Sequence, residues 1–165
     1  MTAGRTWATS AEPGDPVTAT SLSFPSIGIT HVMASSTAVQ RTLPPQSSSV
    51  RAARDVTRST LSEWGLESLS DDAVLVVSEL VTNALRYGLF PTFDRPITLM
   101  LARRGTEVLC AVTDPSQDLP VVRSPDYCQE NGRGLHVVEI YSRRWGCDIL
   151  DTGGKAVWAL FDATA

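Results

Sequence analysis

The sequence is poor in cysteine, histidine and positive charge. Its three cysteines, Cys110, Cys128 and Cys147, are odd in number and show no paired metal spacing. They read as reduced cytoplasmic thiols, two in strands and one in a loop, and exclude a disulfide framework. The two histidines, His31 and His136, make no metal constellation. Lys and Arg number 14 against 18 Asp and Glu, for a net charge of -4. Without a basic excess nothing points to a phosphate-backbone binder, so nucleic acid is not an expected partner. No apolar run approaches the roughly 18–20 residues a membrane helix needs. The N-terminus also lacks the basic-then-apolar order of a secretory signal. These absences lead to the expectation of a soluble, cytoplasmic chain with no membrane contact.

What is present is ordinary globular composition. Of 165 residues, 42% are hydrophobic and 19% charged, enough to bury one sizeable core. Residues 1–36 are rich in Ser, Thr, Ala, Pro and Gly without sustained periodicity. They read as a disordered or loosely attached extension, with Leu22–Phe24 and Ile27–Ile29 as apolar clusters able to dock. Residues 37–165 carry the structured pattern.

Within that part Thr37 to Leu43 alternates weakly and stops at Pro44-Pro45, as an edge strand does. Ser47 to Ser49 offer caps for a helix running to about Trp64, whose apolar face is Val50, Ala53, Thr57, Leu61 and Trp64. Gly65 follows as its C-cap. A second helix is predicted from about Asp71 to Tyr87, ended by Gly88. Two strands, Ile97–Arg103 and Glu107–Thr113, flank an Arg104-Gly105-Thr106 turn and predict a hairpin. A long loop, Asp114 to Arg133, leads to a third helix over about Gly134 to Arg143. Two strands, about Trp145–Leu150 and Ala156–Asp162, close the chain. The order β-α-α-β-β-α-β-β predicts an α+β two-layer sandwich: a mixed, mainly antiparallel sheet with helices on one face.

The second helix holds the most specific signal. Ala73, Val77, Leu80, Val81, Ala84 and Gly88 fall on one face at 3.6 residues per turn. Glu79, Asn83 and Arg86 fall on the opposite stripe, beside Leu75 and Val76. A solvated face is more often mixed Lys and Glu than a Glu–Asn–Arg stripe flanked by aliphatics; the plainer reading is a surface helix with local polar pairs. Before the third helix stands Asn131-Gly132-Arg133-Gly134-Leu135. Glycines let backbone approach a ligand closely, and a helix start presents free N–H groups to an anion; the plainer reading is a tight turn. Asp114 lies just past a strand end, where a carboxylate can accept the exocyclic amine of adenine or simply begin a turn before Pro115.

Taken in order, these motifs resemble the ATPase superfamily of gyrase, histidine kinases and MutL-type proteins, and most nearly its anti-sigma-factor serine kinase branch. The resemblance runs from about Thr37 to Phe161. Glu79-Leu80-Val81-Thr82-Asn83-Ala84 resembles the first motif, Asp114 the second, Gly132-Arg133-Gly134-Leu135 the third, and Gly154-Lys155-Ala156-Val157-Trp158-Ala159-Leu160 the closing strand. Asp114 is followed by Pro115-Ser116-Gln117-Asp118-Leu119-Pro120 where the family ordinarily has glycines.

The resemblance implies a regulator that binds ATP and Mg2+. Asn83 would ligate the metal and contact the nucleotide, and Glu79 would be the catalytic general base of a protein serine/threonine kinase. Asp114 would read adenine, while Gly132, Arg133, Gly134 and Leu135 would line the phosphates. Arg86 would either reach a phosphate or pair with an acid. The partners implied are a sigma factor and an anti-anti-sigma protein, with a homodimer as the assembly, and the process is transcription regulation. A non-catalytic nucleotide-binding, partner-switching module is the alternative.

Overall fold

The computed structural model describes residues 6–8, 37–89, 95–120, 133–151 and 153–163. In chain order the elements are β1 (Thr6–Ala8), β2 (Thr37–Leu43), α1 (Ser48–Glu63), a 3-10 turn (Glu67–Leu69) and α2 (Ser70–Tyr87). Then follow β3 (Ile97–Arg104), β4 (Glu107–Asp114), α3 (Gly134–Tyr141), β5 (Arg144–Ile149) and β6 (Lys155–Asp162). The strands form one sheet in the order β1-β5-β6-β4-β3-β2, and every pairing is antiparallel. The α+β sandwich stands as expected, with a sheet that is antiparallel at each pairing among the described residues. Within 1–36, Thr6–Ala8 pairs with β5 along Asp148 to Gly146; the apolar clusters at 22–24 and 27–29 lie outside the described residues.

Alternation along the central strands explains the layering. Ile97, Leu99 and Leu101 of β3, Val108, Cys110 and Val112 of β4, and Val157, Ala159 and Phe161 of β6 join one buried cluster. The same cluster takes Ala53 and Leu61 from α1, Val76, Val77, Leu80, Val81 and Ala84 from α2, and Leu135 and Val138 from α3. All three helices therefore cover one face. The intervening residues Met100, Ala102, Leu109, Ala111, Trp158 and Leu160 form a second buried cluster on the other face.

α1 buries Ala53, Thr57 and Leu61 as its periodicity predicts. Ser47 occupies the N-cap without a side-chain bond, and Ser49 Oγ instead donates to the Pro44 carbonyl at 2.6 Å. Its C-terminus closes in a Schellman arrangement. Leu66 N–H donates to Leu61 O at 2.8 Å and Gly65 N–H to Ser62 O at 3.0 Å, with Gly65 at φ +69°. Arg103 Nη1 adds a 2.6 Å bond to the Trp64 carbonyl, tying this helix end to β3. α1 and α2 are joined by Arg54 Nε donating to the buried Ser78 Oγ at 2.6 Å.

Two local expectations change. Gly88 caps α2 in the right-handed region, at φ -88°, so its lack of a side chain has another cause, given below. Val76, expected beside the polar stripe, is fully buried, whereas Leu75 is exposed. The apolar stripe of α2 is wider than one heptad face because sheet and neighbouring helices enclose it on several sides.

Candidate functional site

α2 sets the frame of the site. Its buried stripe fixes its rotation, so Glu79 and Asn83, one turn apart, sit half-buried at the boundary of the core. The N-terminus of α3 abuts that boundary. A Cβ placed on Gly134 would stand 2.7 Å from Glu79 Oε2 and 3.4 Å from both Asn83 Nδ2 and Oδ1. The bare backbone at Gly134 is what allows the first turn of α3 to reach the carboxylate and the amide.

That first turn is suited to an anion. The N-cap residue, Arg133, makes no side-chain capping bond. Val137 N–H returns to Arg133 O at 3.1 Å, which leaves the earlier N–H groups of the helix without intrahelical partners. These groups and the helix dipole favour negative charge beside Asn83. Arg133 is exposed at the same end. The Leu135 side chain is buried in the core, so only its backbone N–H faces this end of the helix. Gly132 lies outside the described residues. Arg86 is exposed on the last turn of α2.

Asp114 forms a second, separate group at the end of β4. It is the register partner of Lys155 at the start of β6. Lys155 Nζ donates to Asp114 Oδ1 at 2.8 Å, with side chains 6% and 3% exposed respectively. Ser116 N–H donates to the same oxygen at 3.0 Å. Burial pushes the Asp114 carboxyl above its usual range, and the Lys155 hydrogen bond and charge and the Ser116 N–H pull it back down. Gly88 packs on the Asp114 carboxyl so closely that any Cβ there would collide with it. This contact is why α2 ends on glycine.

The structure thus brings Glu79, Asn83 and Gly134 together and sets Asp114 beside the C-terminal end of the same helix. Sequence reasoning missed Lys155 and the role of Gly88. Lys155 was visible in the closing-strand motif, but its pairing spans 41 positions and depends on strand register. Among the described residues no group of His, Cys, Asp and Glu could hold a metal by protein ligands alone. Asn83 offers a neutral hard oxygen of the kind Mg2+ accepts alongside phosphate and water, and the backbone of Gly134 at the start of α3 closely abuts it. These residues fit a Mg-nucleotide. No described helix is long and apolar enough to cross a membrane.

No curated protein matches the chain. A solved structure described as the RsbU and RsbW domains of Rv1364c from Mycobacterium tuberculosis is similar in fold, with a TM-score of 0.58 at 22% identity. The similarity covers 76% of this chain but only 32% of that one, so the chain spans about a third of its length. The family described as the histidine kinase-like ATPase domain matches residues 43–160, from the end of β2 into β6 and across both groups of site residues. The chain belongs to the histidine kinase-like ATPase domain family.

Proposed function

We propose that this chain is a cytoplasmic ATP- and Mg2+-binding regulator of the anti-sigma-factor type, a protein serine kinase acting on an anti-anti-sigma partner. Membership of an ATPase-domain family implies nucleotide binding. The observation that carries the finer reading is Gly134 set against Glu79 and Asn83, which joins an anion-binding helix start to a carboxylate and a metal-suited amide.

In this reading the uncapped N–H groups of α3 hold phosphate oxygens, with Gly132 and Arg133 beside them. Asn83 Oδ1 would hold the metal, and Asp114 would accept the adenine amine. Mg2+, when bound, supplies neutralisation of phosphate charge. Glu79 takes the proton from the serine hydroxyl of the partner as that oxygen bonds to the γ-phosphorus of ATP, the bond to the β-phosphate oxygen breaks and ADP leaves. Positioning and charge stabilisation then supply most of the rate. Arg86, on the next turn of α2, is assigned to the phosphates or to pairing with an acid. The partner pair, a sigma factor and an anti-anti-sigma protein, and a homodimeric assembly follow from the same reading, with residues 37–165 as the ATPase-like domain and 1–36 as an extension.

The test is phosphorylation of a candidate anti-anti-sigma protein by the purified chain with labelled ATP. Glu79→Gln is expected to retain Mg-ATP binding within about threefold and to lose transfer by at least 100-fold. Serine phosphorylation that survives Glu79→Gln would remove Glu79 from its role. ATP binding without any phosphorylation by the wild type would favour a non-catalytic partner-switching module. That second reading draws on the proline-containing run 115–120, which stands where the motif's glycines would be.

A further inference from the structure

The sheet face turned away from the helices is apolar and buried, yet no described helix contributes to the cluster on it. Strand register sets its members in two rows. Met100, Ala111 and Trp158 run on to the buried Gly146 of β5, and Ala102, Leu109 and Leu160 lie beside them. Side chains standing on a sheet bury one another's flanks, but their tips stay wet unless a further layer packs on them. Here Met100, Leu109, Trp158 and Leu160 are between 4% and 9% exposed. This burial arises within a single chain, so it calls for another stretch of the same chain over the face.

The connectivity points to which stretch. β1 and β2 are the two edges of the sheet, so the chain between Ala8 and Thr37 passes from one edge to the other. Five strand spacings make that crossing about 24 Å, and residues 9–36 can extend to about 90 Å. The outer surface of the helices stays open, with Ile140 74% exposed and Leu75 and Tyr141 also exposed. Residues 121–132 lead into α3 on the helix side and carry Arg123, Asp126 and Glu130. Residues 1–5 and 90–94 are too short to overlie three strands. By contrast, the sequence from Pro16 to Ser36 contains no Asp, Glu, Lys or Arg. Within it Leu22 and Phe24, and then Ile27 and Ile29, are spaced two apart, which in extended backbone puts each pair on one side.

We propose that residues 9–36 form a fixed third layer on the sheet face opposite the helices, with Leu22, Phe24, Ile27 and Ile29 seated on Met100, Leu109, Trp158 and Leu160. The N-terminal extension is then part of the packed fold, and the outer face of the sheet is closed to a partner. This inference goes beyond the nucleotide reading and does not depend on it.

Hydroxyl-radical footprinting of the full chain with peptide mapping, run over a dilution series, tests it. Met100, Trp158, Leu22 and Phe24 are each expected to oxidise at least about tenfold more slowly than in urea, as groups closed off in the native state do. In Leu22→Asp/Phe24→Asp, oxidation of Met100 and Trp158 should rise by about tenfold, while Trp145 in the core beneath the helices stays protected and reports a folded domain. Should Trp145 lose protection too, the milder Leu22→Ala/Phe24→Ala replaces that variant, and the wild-type comparison needs no variant at all. Rapid wild-type oxidation of Met100 and Trp158 overturns the proposal. So does their protection while Leu22 and Phe24 oxidise freely, or protection undiminished in the folded variant. Protection that disappears on dilution would assign the face to a second copy of the chain and overturn it equally.

Discussion

Gly134 is the residue on which the site geometry turns. Its Cβ would meet the end of a flexible Glu79 side chain rather than rigid backbone, so Gly134→Ala should fold. Alanine's helix propensity even favours the change by up to about 1 kcal/mol. The displaced carboxylate and the crowded Asn83 amide should nevertheless weaken Mg-ATP binding by tenfold or more on the scale of a lost charged contact. Paired thermal melts and calorimetry check both halves; unchanged ATP affinity would show that this cradle holds no phosphate. At the same scale, burial pushes the Cys110 and Cys147 thiols up to about 12. At pH 8 only about one thiol in ten thousand would be thiolate. Iodoacetamide with peptide mapping should leave both unlabelled in the native chain and label both in urea. Rapid native labelling would contradict their burial.

Among elements, the turn after α1 separates backbone from packing. Gly65 lies at φ +69°, and a side chain there would meet nothing within 4 Å. Gly65→Ala should therefore destabilise by about 1–2 kcal/mol, the penalty of a left-handed residue with a Cβ, and leave ATP affinity unchanged. Urea unfolding measures it, and a loss near zero would mean the Schellman closure contributes little. The elements were largely legible beforehand. α1, α2 and the β3–β4 hairpin came within a residue or two of their expected ends because period, caps and turn glycines are local properties. α3 was expected to run to Arg143 but stops at Tyr141, where Ser142 turns extended at ψ 154°. Arg143 N–H then donates to Leu160 O at 2.8 Å, so pairing with β6 overrides helix propensity there.

At the scale of the whole molecule, binding should appear as stability. A ligand that binds only the folded state at 100 times its Kd stabilises by about 2.7 kcal/mol, which for a chain of this size is roughly 5–10 °C in Tm. Differential scanning fluorimetry with Mg-ATP checks it. A Tm that does not move at millimolar Mg-ATP would exclude tight binding.

The sequence by itself determined the α+β class, the helix face that carries Glu79 and Asn83, and the antiparallel hairpin. Each is written in spacings of two to seven residues. Only the tertiary structure decided that Gly134 meets Glu79, that Gly88 meets Asp114, and that Lys155 pairs with Asp114. Those contacts join residues 26 to 55 positions apart, through strand register and helix packing. No local period records them, because register is settled by which faces of distant strands and helices bury together.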